Sequence, residues 1–148
     1  ALQKAAIAVN EEGRASNPTA RISAEVMVQE ADALLLIVGA SPETIDAKRT
    51  EALKILEAAT QAERSMPIEF GPPVVPKPAA ELLGDQLLAA GRASDAASAY
   101  QLVLERTPGR KPALEGLLLA QKASGDAKAA EQTAKKLAPE KKVEVHVH

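Results

Sequence analysis

The two histidines, His146 and His148, stand near the C-terminal end of the chain, with Glu144 two residues before the first. In an extended strand alternate side chains share a face, so these three would point the same way. A set of that kind can bind Zn or Cu. A frayed tail or a short edge strand accounts equally for the alternation, and no metal or cofactor is assigned. Elsewhere no histidine stands ready as a general base. Ser16, Ser23, Ser41, Ser65, Ser94, Ser98 and Ser124 lack the context of a nucleophile elbow. The eight glycines are spread out as turn punctuation, whereas a phosphate cradle or dinucleotide fingerprint needs them clustered. Neighbouring carboxylates such as Glu11 and Glu12 read as a solvated helix face. Cysteine is absent, which excludes disulfides, thiolate metal sites and a cysteine nucleophile. The expectation is a protein that is not an enzyme.

Composition narrows the choice further. The 148 residues are 46% apolar and 26% charged, but only 1% aromatic, with one Phe and one Tyr. That length suits about one domain. Alanine supplies 31 residues, so a thick aromatic core and an aromatic platform for stacking bases are excluded. Ala and Leu with abundant Glu, Lys, Gln and Arg favour helix. The net charge of −2 comes without a strongly basic block, which disfavours nucleic acid as a partner. The longest strongly apolar run, Ala33 to Ala40, is eight residues, against about 20 for a membrane span. The chain begins at Ala1 inside a helical pattern, and the expectation is a piece of something longer.

The elements follow from hydrophobic period and punctuation. Residues 1–12 read as a helix with Leu2, Ala6 and Val9 in one stripe, closed by Gly13. A second helix is expected from about Ala20 to Val38, capped by Asn17 or Thr19. Its end, Leu34 to Val38, is apolar all round and so is expected to be buried on several sides. Ser41-Pro42 reads as an N-cap with Pro at the first helical position. The third helix then runs to about Arg64, with Ile45, Arg49, Ala52, Leu53, Leu56 and Ala59 inward. Residues 66–78 hold five prolines, which forbid a helix and favour an extended path. Ile68, Phe70, Val74 and Val75 lie in that segment and are expected to pack along the helices. The segment reads either as a spacer or as a cis ligand carrying Phe70. Helices resume at about 79–90, 94–106, 112–123 and 127–137. The expected organisation is 1–66, a connection at 67–78, paired helices at 79–138, and a tail at 139–148.

Residues 77–110 align with 111–144 at an offset of 34 without a gap, with nine identities. They include Lys77-Pro78-Ala79 on Lys111-Pro112-Ala113, Glu81 on Glu115, Leu83 on Leu117, Gly91 on Gly125 and Ala96 on Ala130. Two helices per such period mean hairpins too small to bury their own apolar faces, so neighbours must stack. Gly91 and Gly125 supply turns that tolerate left-handed backbone. Small residues at Ala96, Ala99, Ala130 and Ala134 permit close helix crossing, while Leu83, Leu87, Tyr100 and Leu104 fill larger gaps.

These positions resemble the tetratricopeptide repeat (TPR). Leu83-Gly84 matches that family's Leu-Gly pair, Gly91 its turn, Ala96 its small contact, Tyr100 its aromatic and Pro108 its closing proline. Ala80 stands in place of the usual Trp, Leu87 of Tyr and Val103 of Ala. The second copy departs further, at Leu118, Ala134 and Lys142, and reads as a terminal capping repeat. The second and third helices resemble a degenerate earlier unit. The run from Met66 to Arg92 is similar to the C-terminal region of larger bacterial TPR proteins of unassigned function, some of them exported. That favours a bacterial, exported or periplasmic setting over a cytoplasmic one.

The resemblance implies an all-α, right-handed superhelical array of antiparallel hairpins, a TPR-like α-solenoid of about seven helices. It also implies a peptide or protein partner in a concave groove lined by the first helix of each hairpin. The matching positions are Glu81, Asp85, Leu88 and Ala89, then Glu115, Leu119, Lys122 and Ala123, and Gln29, Ala33, Leu36 and Ile37 in the degenerate unit. Glu81, Asp85 and Glu115 would make an acidic floor suited to a basic or amphipathic segment. The expected role is a non-catalytic interaction scaffold. The other reading is a structural accessory subunit buried in a larger multiprotein assembly.

Overall fold

A computed structural model describes residues 17–67 and 75–138. Among them the chain is all-helical: α1 (Pro18–Val38), α2 (Ile45–Ser65), α3 (Ala79–Ala89), α4 (Ala93–Arg106), α5 (Lys111–Ser124) and α6 (Ala127–Leu137). The expected helix over 1–12, the core of the proline-rich segment and the tail lie outside the described residues. No helix is long and apolar enough to cross a membrane among those described.

Local signals set most boundaries. Asn17 caps α1 with its side-chain oxygen, accepting from Thr19 N at 3.0 Å and Ala20 N at 3.3 Å, and Pro18 occupies the first turn. Helix α2 starts later than the Ser41-Pro42 signal suggests. Residues 41–44 form a closed turn instead, in which Ser41 N donates to Thr44 Oγ1 at 2.9 Å and Thr44 N to the Ser41 carbonyl at 3.0 Å. A Ser/Thr side chain that bonds its own local backbone competes with helix initiation. The inward stripe of α2 is as expected: Ala52, Leu53, Leu56 and Ala59 are buried.

Each helix packs on the next in the chain, and α3 also touches both α1 and α5. The main core runs through five helices, from Ala33, Ala52 and Leu56 through Leu83, Leu87, Ala96 and Tyr100 to Leu117 and Ala120. Of the small residues expected at crossings, Ala96, Ala99 and Ala130 are buried, whereas Ala134 is exposed.

The 34-residue offset survives as turn geometry. Gly91 (φ 75°) and Gly125 (φ 80°) are both left-handed. Arg92 N donates to the Leu87 carbonyl at 2.9 Å, and Asp126 N to the Gln121 carbonyl at 2.9 Å, again 34 residues apart. This is the six-to-one bond that closes a helix over a left-handed residue.

One expectation fails. The apolar end of α1 is not buried on several sides. Only Ala33 is enclosed there, while Leu34, Leu35 and Val38 are exposed, Val38 at 81%. The helix has neighbours on one side alone among the described residues, so its apolar residues exceed the surface available to cover them.

The described ends of the proline-rich segment are anchored. Met66 and Val75 are buried with Val26, Ala59 and Ala79 from three helices. Val75 thus packs as expected; Ile68, Phe70 and Val74 lie outside the described residues.

Candidate partner-binding surface

The centre of the α3–α4–α5 contact is Tyr100, which is 1% exposed. Two glycines make room for its ring. A Cβ on Gly84 would come within 2.8 Å of the ring, and one on Gly116 would overlap the ring carbons outright, closer than real side chains pack. The phenol donates to Asp85 Oδ1 at 2.6 Å, and Lys77 Nζ binds Asp85 Oδ2 at 2.6 Å. Burial first, and the Asp85 hydrogen bond second, raise the Tyr100 pKa above its ordinary range, keeping the hydroxyl a donor.

Glu81 belongs to this interior. It is 3% exposed, and Arg110 grips both of its carboxylate oxygens through Nε and Nη2. Arg110 Nη2 also reaches the Pro76 carbonyl at 3.4 Å. The Glu81 hydrogen bond raises the arginine's pKa, so its charge is secure. Glu63 Oε2 accepts the Ala79 backbone N–H at 2.7 Å, satisfying an orphan donor at the start of α3. Arg106 Nη2 closes the end of α2 by donating to the carbonyls of Arg64 and Met66, both at 2.8 Å. Beside this cluster Glu30 Oε1 is buried and accepts no hydrogen bond. Burial, then repulsion from Glu63, raises the Glu30 pKa to about 7, against an opposing pull from Lys77. Burial likewise raises Glu63.

The expected groove residues therefore separate. Ala33 and Glu81 are interior. Gln29 is half-buried with Oε1 unbonded, and Leu36 and Leu88 are half-buried against the main core. Asp85 is held by Tyr100 and Lys77. Glu115, Leu119 and Lys122 are exposed together on α5, Leu119 at 60%. The acidic floor is thus corrected: two of its three carboxylates, Glu81 and Asp85, are already paired within the chain. The surface that remains open is a leucine between one acid and one base.

Arg110, Arg106, Lys77 and Gly116 organise the site without having been singled out from the sequence. No local signal marked Arg110: Glu81 shares its helix face with Asp85 at i+4, and Glu115, with similar apolar flanks, is exposed. The candidate metal trio Glu144, His146 and His148 lies outside the described residues. Among the described residues no group of three or more His, Cys, Asp or Glu side chains is placed to hold a metal ion. No family model matches the chain, and neither curated proteins nor solved structures provide a significant match.

Proposed function

We propose that this chain is a non-catalytic interaction scaffold, a TPR-type solenoid that binds an amphipathic peptide segment along the face shared by α1, α3 and α5. The observation that carries the reading is the exposed line Glu115, Leu119 and Lys122, spaced four and three residues apart on one face of α5. The recurrence of the left-handed turn at Gly91 and Gly125 supports stacked hairpins, as do the contacts of α3 with both α1 and α5. An exposed leucine flanked by opposite charges suits a partner that brings an apolar side chain and both signs of charge. A purely basic ligand is less suited, because Arg110, Lys77 and Tyr100 already satisfy Glu81 and Asp85.

The test is selection of binders from a displayed random-peptide library on the full chain. Leu119→Glu with Lys122→Glu should reduce binding of the selected peptides at least about tenfold, a loss of about 1.4 kcal/mol. Lys128→Glu with Lys135→Glu, on α6, should leave it unchanged. Equal binding to both variants removes the α5 face from the site. The structural-subunit reading has an observation of its own, the exposed Met27, Leu34, Leu35 and Val38 of α1. It predicts that the isolated chain associates through that helix.

A further inference from the structure

Polar groups are not satisfied evenly along the chain. Among the described residues, the buried side-chain atoms without a hydrogen-bond partner are Gln29 Oε1, Glu30 Oε1 and Arg49 Nε. All three belong to α1 and α2. Each loses its hydration on folding with no bond in return, which subtracts from the stability of the part that holds it. The buried polar residues of α3–α6 are bonded instead: Glu81 to Arg110, and Gln121 Oε1 to Thr133 Oγ1 at 2.8 Å.

The join between these two parts is also divided. One half is apolar, where Ala52, Leu53 and Leu56 share a core with Leu82, Leu83 and Leu87. The other half is polar and hangs on one side chain from the far end of α4. Arg106 Nη1 donates to the Glu63 carbonyl at 3.3 Å, and Nη2 to the carbonyls of Arg64 and Met66, both at 2.8 Å. A guanidinium there complements the negative end of α2 and satisfies carbonyls that the helix leaves open. Arg106 is exposed, so water competes for each of these bonds. Within the first part the contact is broader. Helix α1 meets α2 much more extensively than it meets α3, sharing buried residues at both ends, Val26 with Ala59 and Ala33 with Ala52.

We infer that α1 and α2 open together off α3 while α3–α6 stay folded, with the Arg106 bonds as the latch that sets how often they do so. Opening uncovers the part of α3 against which α2 packs, so the α1–α2 pair is an in-chain cover over that surface.

Native-state hydrogen exchange on the full chain, followed amide by amide through low urea concentrations, tests this. The slowest amides of α1 and α2 should share one opening, with a smaller urea dependence than the slowest amides of α3, α4 and α5. Arg106→Gln should speed exchange in α1 and α2 about tenfold. Tyr100→Phe removes the bond to Asp85 within the second part. It should speed the slowest amides of α3–α5 about fivefold and leave α1 and α2 unchanged. An equal response of all the helices to Tyr100→Phe overturns the inference, because the array then opens as one body. Exchange in α1 and α2 that Arg106→Gln does not alter overturns the latch. The unsubstituted chain is decisive too: one urea dependence common to α1–α5 overturns the inference without any variant.

Discussion

The hairpins α3–α4 and α5–α6 share a sequence register and a turn, yet differ in what they enclose. Glu81 and Glu115 are the same residue at the same repeat position. Glu81 is buried against Arg110, and Glu115 is exposed. Arg110, the partner of Glu81, aligns at the 34-residue offset with Glu144, an acid that cannot neutralise a carboxylate. Tyr100 and Gly84 recur as Ala134 and Leu118, so the large and small members of the pair change places. The Asp85 that accepts the Tyr100 hydroxyl recurs as Leu119. With no phenol to bind at position 134, an apolar residue at 119 leaves no hydrogen bond unmade. A repeat thus conserves backbone closure first and lets packing partners change as sets.

The largest effect expected from breaking this contrast is at Arg110. Arg110→Ala leaves the Glu81 carboxylate buried without a counter-charge and should cost about 3 kcal/mol in urea unfolding. Glu115→Ala should stay within about 0.5 kcal/mol. A loss below about 1 kcal/mol at Arg110 would show that Glu81 gains access to water. Replacing both partners, Arg110→Met with Glu81→Met, should recover most of the loss.

Next comes the space around Tyr100. Gly116→Ala drives a methyl group into a buried ring and should cost about 2 kcal/mol, net of the helix propensity it gains. In a Tyr100→Ala background the same change should become neutral or stabilising. Additive behaviour in that double-mutant cycle would separate Gly116 from the ring.

A pH test reaches the carboxylates that flank only the first hairpin. Glu30 has a folded-state pKa of about 7, above its ordinary 4.5. Its protonated form is the one that folding favours. That contribution is full below pH 4.5 and is lost as pH rises through 7. Glu30→Gln should therefore match the parent near pH 5 and exceed it by about 1–2 kcal/mol at pH 8, after allowance for partial solvent screening. A constant difference across that range would mean that Glu30 stays ionised.

The smallest expected effects concern the shared turn. Gly91→Ala and Gly125→Ala each force a side chain into left-handed backbone, at about 1 kcal/mol. Both glycines have open space around the missing Cβ, so the two costs should agree within about 0.5 kcal/mol. Unequal costs would show that the two turns are held by different contacts.

Much of the helical frame was legible from local information. The positions of Asn17, Gly91 and Gly125 marked ends that the structure reproduces, because caps and left-handed turns depend on a few adjacent residues. The stripe through Ala52, Leu56 and Ala59 was legible because period alone places one face inward. The candidate surface was less so. Its groove positions were carried over by register, and register says nothing of whether a distant arginine arrives. Glu81 and Glu115 are indistinguishable within their own helices. The exposure of Leu34, Leu35 and Val38 was missed for a related reason: an apolar run signals a need for cover, not its presence.

The sequence by itself determined where the backbone turns and which face of each helix is apolar. Those properties rest on hydrogen bonds and sterics within a few residues. Only the tertiary structure decided which of the aligned acids is buried, that Tyr100 fits between Gly84 and Gly116, and that α1 has an apolar side uncovered by the other described helices. Charge neutralisation and packing depend on groups 15 to 30 residues apart, such as Tyr100 with Asp85 and Arg110 with Glu81. Their meeting is set by how the helices stack.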